Sequence, residues 1–206
     1  MGSLSKTQSD IVIGTMLGDG YMHCKTNAHL QITHSINQKE YVDWMYGVLR
    51  NCVLTQPKPY KGNGKRIGYR FFTRSLPCFT DIYKQFYKNN RKIIPLNLKL
   101  NAQILAVWYM DDGSLCDKSC YLNTQQFPEQ KQLLLSRLLL KDFGLTTKCQ
   151  RIQEICRFNS TIYYSIHGLQ DFDITPYRLD VPLSGTEDRD IYLYKTLASQ
   201  NIGMKV

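Results

Sequence analysis

The sequence predicts a mixed α/β protein assembled from two similar halves. Two nearly all-apolar stretches each stop at Asp-Gly, about 90 residues apart. Each is followed by a polar, alternating stretch of strand character. Turn residues then separate further helices and strands in the same order, so both halves read helix, strands, helix, strands, helix. With 206 residues, 43% of them hydrophobic, the chain can bury a sizeable core, as one compact body or two tightly joined halves. The division expected is 1–97 and 98–206, with a linker around Pro95 to Asn101.

The first helix is expected to start at a capping box, Thr7-x-x-Asp10, and to run through Ile11, Val12, Ile13, Met16 and Leu17 to Gly18-Asp19-Gly20. Its counterpart starts at Asn101, a good N-cap, and runs through Ile104, Leu105, Val107, Trp108 and Met110 to Asp111-Asp112-Gly113. Helices apolar almost all round are buried, so this pair belongs at the centre, where the halves meet. Gly14 and Gly18, four apart, let a neighbouring backbone approach; Ala106 is the only small residue inside the partner stretch. The alternating strands are His29 to Ile36 and Cys120 to Gln125, followed by amphipathic helices at Tyr41 to Leu49 and Lys131 to Phe143. A hairpin is expected at Lys61-Gly62-Asn63-Gly64-Lys65, and later strands at Thr147 to Ile155 and Ile162 to Ile166. Tyr69 to Asp81 and Tyr163 to Asp173 then share a strand, turn, helix pattern.

Charge points to the partner. The net charge is +9, and residues 1–100 hold 15 basic and 5 acidic residues against 11 and 12 in 101–206. A basic surface belonging mainly to the first half favours a polyanion, nucleic acid first, through phosphate contacts and counterion release. Seven cysteines without regular spacing argue for free thiols in a reducing compartment rather than a disulfide framework. Cys116 and Cys120 lack CxxC spacing, so they read as small apolar residues rather than zinc ligands. No secretory leader, lipidation pattern or membrane span is expected, which leaves a soluble protein without a membrane partner.

Asp19 and Asp112 carry the chemistry. Each ends a buried helix, where the macrodipole already presents negative charge, so a carboxylate there needs a cation. If the helices pack side by side, the two carboxylates converge, and protonation or a metal must stabilise them. Oxygen-only ligands favour a hard cation such as Mg²⁺, which keeps waters and bridges to phosphate. A lone Asp-Gly is an ordinary helix stop. Two of them at matching places in a duplicated chain favour a site.

Val12-Ile13-Gly14-Thr15-Met16-Leu17-Gly18-Asp19-Gly20 and Leu105-Ala106-Val107-Trp108-Tyr109-Met110-Asp111-Asp112-Gly113 resemble the paired signature of single-chain LAGLIDADG homing endonucleases. The resemblance spans almost the whole chain and includes Asn89-Asn90-Arg91-Lys92-Ile93-Ile94-Pro95. It implies pseudo-twofold αββαββα halves, the two signature helices at the central interface, and two antiparallel four-stranded sheets saddling the DNA major groove. It also implies a monomer that cuts double-stranded DNA across the minor groove to leave short 3′ overhangs. The metal ligands it implies are Asp19 and Asp112, with Gly18 beside the first and Asp111 secondary. Lys92 matches a lysine near the scissile phosphate, and Gln38 a polar residue that orders water, with Gln130 or Gln125 as its counterpart. Aligning Arg91-x-x-x-Pro95 with Arg178-x-x-x-Pro182 sets Leu179 opposite Lys92, so the second basic group is expected at Arg178.

Nucleic-acid contacts are expected from Lys25 and from Lys58, Lys61, Lys65, Arg66, Tyr69, Arg70 and Arg74, the latter in a stretch with no acidic residue between Trp44 and Thr80. Gln31 and Thr33, then Asn123 and Gln125, are candidates for base contact; Lys148, Gln150, Arg151, Gln153 and Arg157 repeat the pattern more weakly. Two other readings keep the same fold: an RNA-binding maturase acting on its own intron, and a DNA-binding protein with an inactive centre. The presence of both aspartates and Lys92 disfavours the latter. An intron-encoded enzyme of this kind would fit an organelle, mitochondrion or chloroplast.

Overall fold

The structure, a computed structural model, describes residues 3–62, 66–116, 119–152 and 161–167. Helix α1 (Lys6–Leu17) is capped at Ser5, two residues before the expected Thr7-x-x-Asp10 box. Ser5 accepts from the Gln8 N–H while the Gln8 side chain accepts from the Ser5 N–H, a reciprocal cap that satisfies two orphan donors. Asp10 instead pairs with Lys6 at 2.8 Å. Helix α4 (Ala102–Asp112) starts where expected, the Asn101 side chain accepting from Ile104.

Between them lie β1 (Tyr21–Cys24), β2 (Ala28–Ser35), α2 (Lys39–Val48), β3 (Lys58–Lys61), β4 (Ile67–Phe72) and α3 (Pro77–Phe86). The strands form an antiparallel sheet of order β1-β2-β4-β3. Its inner face is set by the two-residue period of β2: Ala28, Leu30, Ile32 and His34 are buried, while His29, Gln31, Thr33 and Ser35 face outward. Helices α2 and α3 cover that inner face with Tyr41, Val42, Met45, Phe79, Ile82 and Phe86.

A short ribbon follows, β5 (Tyr87–Lys88) and β6 (Arg91–Lys92). Its two turn residues, Asn89 and Asn90, both have positive φ, 51° and 59°, a conformation that asparagine tolerates through its short polar side chain. The linker after it is tied to the second half, since the Leu100 N–H donates to Asp142 at 3.0 Å.

The second half repeats the order with β7 (Gly113–Cys116), β8 (Ser119–Asn123), α5 (Glu129–Phe143), β9 (Thr146–Ile152) and β10 (Thr161–His167). Its sheet runs β7-β8-β10-β9, again antiparallel and with the same topology as the first. Helix α5 stops at Gly144, which adopts φ 70° as a left-handed C-cap. The expected third helix of this half lies outside the described residues, as do most of the 61–65 hairpin turn and the end of the strand expected to reach Ile155. One hydrophobic cluster runs through both halves, from Leu30 and Phe71 across Val12, Val107 and Trp108 to Leu122, Phe127 and Leu139.

Candidate metal centre and nucleic-acid interface

Helices α1 and α4 meet along a seam cut by two glycines. A Cβ on Gly14 would lie 2.7 Å from Val107 Cβ, and one on Gly18 would lie 2.3 Å from Asp111 Cβ. Only glycine permits this approach. Because both helices end at the same level, the carboxyls of Asp19 and Asp112 come within interaction range of each other. Burial first, and then the neighbouring Asp19, push the Asp112 carboxyl up to about 7.

Lys92 supplies the cation that two helix C-termini demand. Its ammonium donates to the Gly18 carbonyl at 2.6 Å, within reach of Asp112, Asp111 and Asp19. Burial lowers its pKa to about 8, against the pull of the three carboxylates. Gln126, from the second half, closes the other side: its amide nitrogen lies 3.3 Å from Asp112 Oδ2, 3.3 Å from the Leu17 carbonyl and 3.5 Å from that of Gly18. In the first half Gln38 lies beside His34, whose pKa burial lowers while Asp19 and Gln38 raise it. Asp19 and Gln38 then line one cleft of about 960 Å³ together with Thr33, Tyr60 and Arg66.

The outer face of the first sheet forms the wall of that cleft. Register places Gln31 opposite Phe72, Thr33 opposite Arg70, and Lys58 opposite Arg70, so Gln31, Thr33, Lys58 and Arg70 share one face. Arg70 is held over the Tyr60 ring at 4.2 Å and near Phe72 at 5.2 Å, which fixes its guanidinium plane. Tyr60 in turn lies flat over Gly68, where a Cβ would come within 2.1 Å of its ring.

The donor set suits a hard divalent cation. The oxygens at hand are two carboxylates and the carbonyls that end α1, and among the described residues no group of three or more His, Cys, Asp or Glu could hold a metal. A cation there would complete its shell with water or phosphate, the habit of Mg²⁺.

The sequence profile of the LAGLIDADG DNA endonuclease family matches residues 9–165. The chain belongs to that family. It is 33% identical over 156 residues to "Probable intron-encoded endonuclease 1" of Wickerhamomyces canadensis, covering 68% of this chain and 67% of that one. It is 28% identical to the cytochrome b mRNA maturase bI2 of Debaryomyces hansenii over 145 residues, 64% of this chain and 55% of the maturase. The structure superposes on the homing endonuclease I-WcaI bound to its DNA recognition sequence with a TM-score of 0.71 and 27% identity, covering 80% of this chain and 77% of that one.

Within this LAGLIDADG frame, the structure places the expected site residues as follows. Asp19, Asp112, Gly18, Lys92 and Gln38 converge as described, and Gln31, Thr33, Lys58, Arg66 and Arg70 surround the cleft or its wall. Lys25 is exposed in the β1–β2 turn, and Lys61 pairs with Ile67 on the opposite pleat of β3. In the second half Asn123 is half-buried at the end of β8 and Gln125 is exposed beyond it, while Lys148, Gln150 and Arg151 fall in β9 opposite Ser165, Tyr163 and Ile162. Lys65, Gln153, Arg157 and Arg178 lie outside the described residues.

Three expectations need correction. Tyr69 is 7% exposed beneath the sheet, its hydroxyl donating to Asp43 of α2 at 3.0 Å, because an odd position in β4 points inward. Arg74 falls after β4 ends, and its guanidinium donates to the Asn51 carbonyl at 2.7 Å instead of joining the row of Arg70. Asp111 turns into the helix seam rather than lining the cleft: its side chain is fully enclosed and receives the Tyr41 hydroxyl at 2.8 Å. Burial pushes its carboxyl well above the usual carboxylate range.

Gln126, His34 and Tyr41 escaped the sequence reading. For Gln126 a signal existed: Gln38 lies three residues past Ser35, the end of β2, and Gln126 three past Asn123, the end of β8. Gln130 sits instead on the exposed first turn of α5. His34 and Tyr41 carry no such signal, since each occupies a position whose period marks it only as core.

Proposed function

We propose that the chain is a site-specific, divalent-metal-dependent homing endonuclease that hydrolyses both strands of a long asymmetric DNA target as a monomer, and that an intron encodes it. The observation that carries this reading is the meeting of Asp19 and Asp112, under Lys92, at a cleft walled by a basic sheet. Two halves, 1–97 and 98–206, would each contribute one signature helix and one sheet; the repeated strand order supports the division. Likeness to an intron-encoded endonuclease and to I-WcaI points the same way.

Asp19 and Asp112 would hold Mg²⁺, joined by the Gly18 carbonyl once Lys92 turns from it to the phosphate; the ion would supply charge stabilisation for the attacking and leaving oxygens of a phosphodiester. The chain's own groups do the rest. Lys92 sets a positive charge where negative charge develops on the phosphate. Gln38 and Gln126 each offer an amide able to orient a water beside one aspartate. Lys58, Arg66 and Arg70 neutralise backbone phosphate or read guanine edges, and Gln31 and Thr33 read neighbouring bases. Asn123, Gln125, Lys148, Gln150 and Arg151 would serve the other half-site.

A second reading is splicing of its own intron RNA, favoured by 28% identity to a cytochrome b mRNA maturase. Organellar residence would follow from intron encoding. Among the described residues no helix is long and apolar enough to cross a membrane. The deciding experiment is incubation with Mg²⁺ and a plasmid carrying the joined sequences that flank the reading frame's intron. Linear product supports the nuclease; its absence at every metal tested leaves the maturase reading.

A further inference from the structure

A buried polar cluster behind the aspartate pair takes no part in the roles above. Its members come from both halves: His34 from β2, Tyr41 from α2 and Asp111 from α4. The Tyr41 hydroxyl donates to Asp111 Oδ1 at 2.8 Å and lies 3.4 Å from the Val107 carbonyl. His34 Nε2 sits 3.5 Å from the same Oδ1, and its ring packs edge-on against Tyr41 at 5.2 Å. His34 and Gln38 both line the cleft, so the cluster reaches it.

Packing alone does not explain a carboxyl here. Opposite Gly18 an alanine would fill the seam without the cost of desolvating an acid. What a carboxyl adds is direction. The glycine seam is smooth, and apolar contact tolerates sliding, whereas moving α4 by a single residue along its axis, about 1.5 Å, would part the two aspartates. A hydrogen bond from α2 to the last turn of α4 fixes that register and the orientation of the residue that follows.

We propose that Asp111 is a positioning residue, which Tyr41 holds, with the His34 ring packed beside it, so that the adjacent Asp112 faces Asp19. The corresponding place in α1 is Gly18, which has no side chain to hold, so only α4 carries such a device. It rests on the reading of Asp19 and Asp112 as a nuclease centre.

The test uses the full chain as wild type, Tyr41→Phe, Asp111→Asn and Asp111→Ala. Single-turnover cleavage of supercoiled target plasmid, with nicked and linear products resolved, is set beside DNA affinity and thermal melting. Tyr41→Phe should slow cleavage on the order of 10- to 100-fold, the usual effect of removing a group that orients a metal ligand. DNA affinity should stay within about twofold, and the two strand cuts should slow unequally, so that nicked plasmid accumulates. Asp111→Asn, which keeps an acceptor for Tyr41, should retain more of the rate than Asp111→Ala. A wild-type rate and strand ratio in Tyr41→Phe would overturn the proposal, as would equal slowing of both cuts in proportion to a lost folded fraction. If wild-type protein cleaves nothing, the nuclease reading fails instead. Mn²⁺ titration of the free protein by electron paramagnetic resonance then tests the cluster: tenfold weaker binding in Tyr41→Phe supports it, and unchanged binding overturns it.

Discussion

The missing Cβ of Gly18 would stand 2.3 Å from the Cβ of Asp111, so the two halves approach more closely than any side chain at position 18 would allow. Gly18→Ala should therefore force α1 and α4 apart at the level of the aspartates. Overpacking of this kind costs about 1–3 kcal/mol. Urea denaturation should show that loss, and cleavage should fall further than stability explains. Gly47→Ala is the control: nothing lies within 4 Å of a Cβ there, and alanine in a helix should be neutral or stabilise by up to about 1 kcal/mol.

Asp19→Asn and Asp112→Asn should each abolish cleavage while leaving DNA binding intact or slightly tighter, because each removes a negative charge that faces phosphate. Fluorescence anisotropy on the target duplex, beside a cleavage assay, separates the two effects. Cleavage surviving in either variant would remove that residue from the metal centre.

The raised pKa of Asp112 fixes a sign for metal-free stability. In the unfolded chain the group titrates near about 4, and in the folded protein at about 7. Between those values the native state holds a proton that the unfolded state lacks, so stability contributed by Asp112 is full below about 4 and is lost as pH rises through 7. Melting without metal should decline across that window, Asp112→Asn should flatten the decline, and Mg²⁺ should reverse it. Lys92 titrates at about 8, so cleavage should fall above that pH as its charge disappears.

Arg70→Ala should weaken target binding and reduce the slope of log affinity against log salt by about one. Arg66→Ala should do the same if that residue meets phosphate. Salt titrations of both, with Tyr60→Ala to free the Arg70 guanidinium from its ring, read the effect. An unchanged slope in Arg70→Ala would mean that the outer face of the sheet does not meet DNA.

Tyr69→Phe provides the contrast on the same strand. It should leave affinity and salt slope unchanged and cost about 1 kcal/mol of stability, because its hydroxyl bonds to Asp43 under the sheet. Equilibrium unfolding and anisotropy distinguish this from a DNA contact.

The legible features are those with a local period. Strand β2 alternates so regularly that Gln31 and Thr33 fall on the outer face as read from sequence, and Asn101 caps α4 by its chemistry alone. Tyr69 was misread because its basic neighbours suggested a shared surface. Position parity in β4, set by pairing with β2, sends Arg70 outward and Tyr69 inward. Arg74 was lost to the end of the same strand, where pleating stops and the Asn51 carbonyl takes its guanidinium.

By itself, the sequence determined that two apolar helices would each end on an aspartate, and that basic charge would gather beside the first. Hydrophobic period and helix-stop chemistry are properties of a few consecutive residues. Only the tertiary structure decided which groups complete the centre. Beyond the expected Lys92, these are Gln126, which reaches Asp112 and, across 109 residues, the Leu17 carbonyl, and Tyr41 with His34, which meet Asp111 from the other half. It also decided that Asp111 turns into the seam while its neighbour Asp112 meets Asp19, because successive side chains on a helix point in different directions and only packing chooses between them.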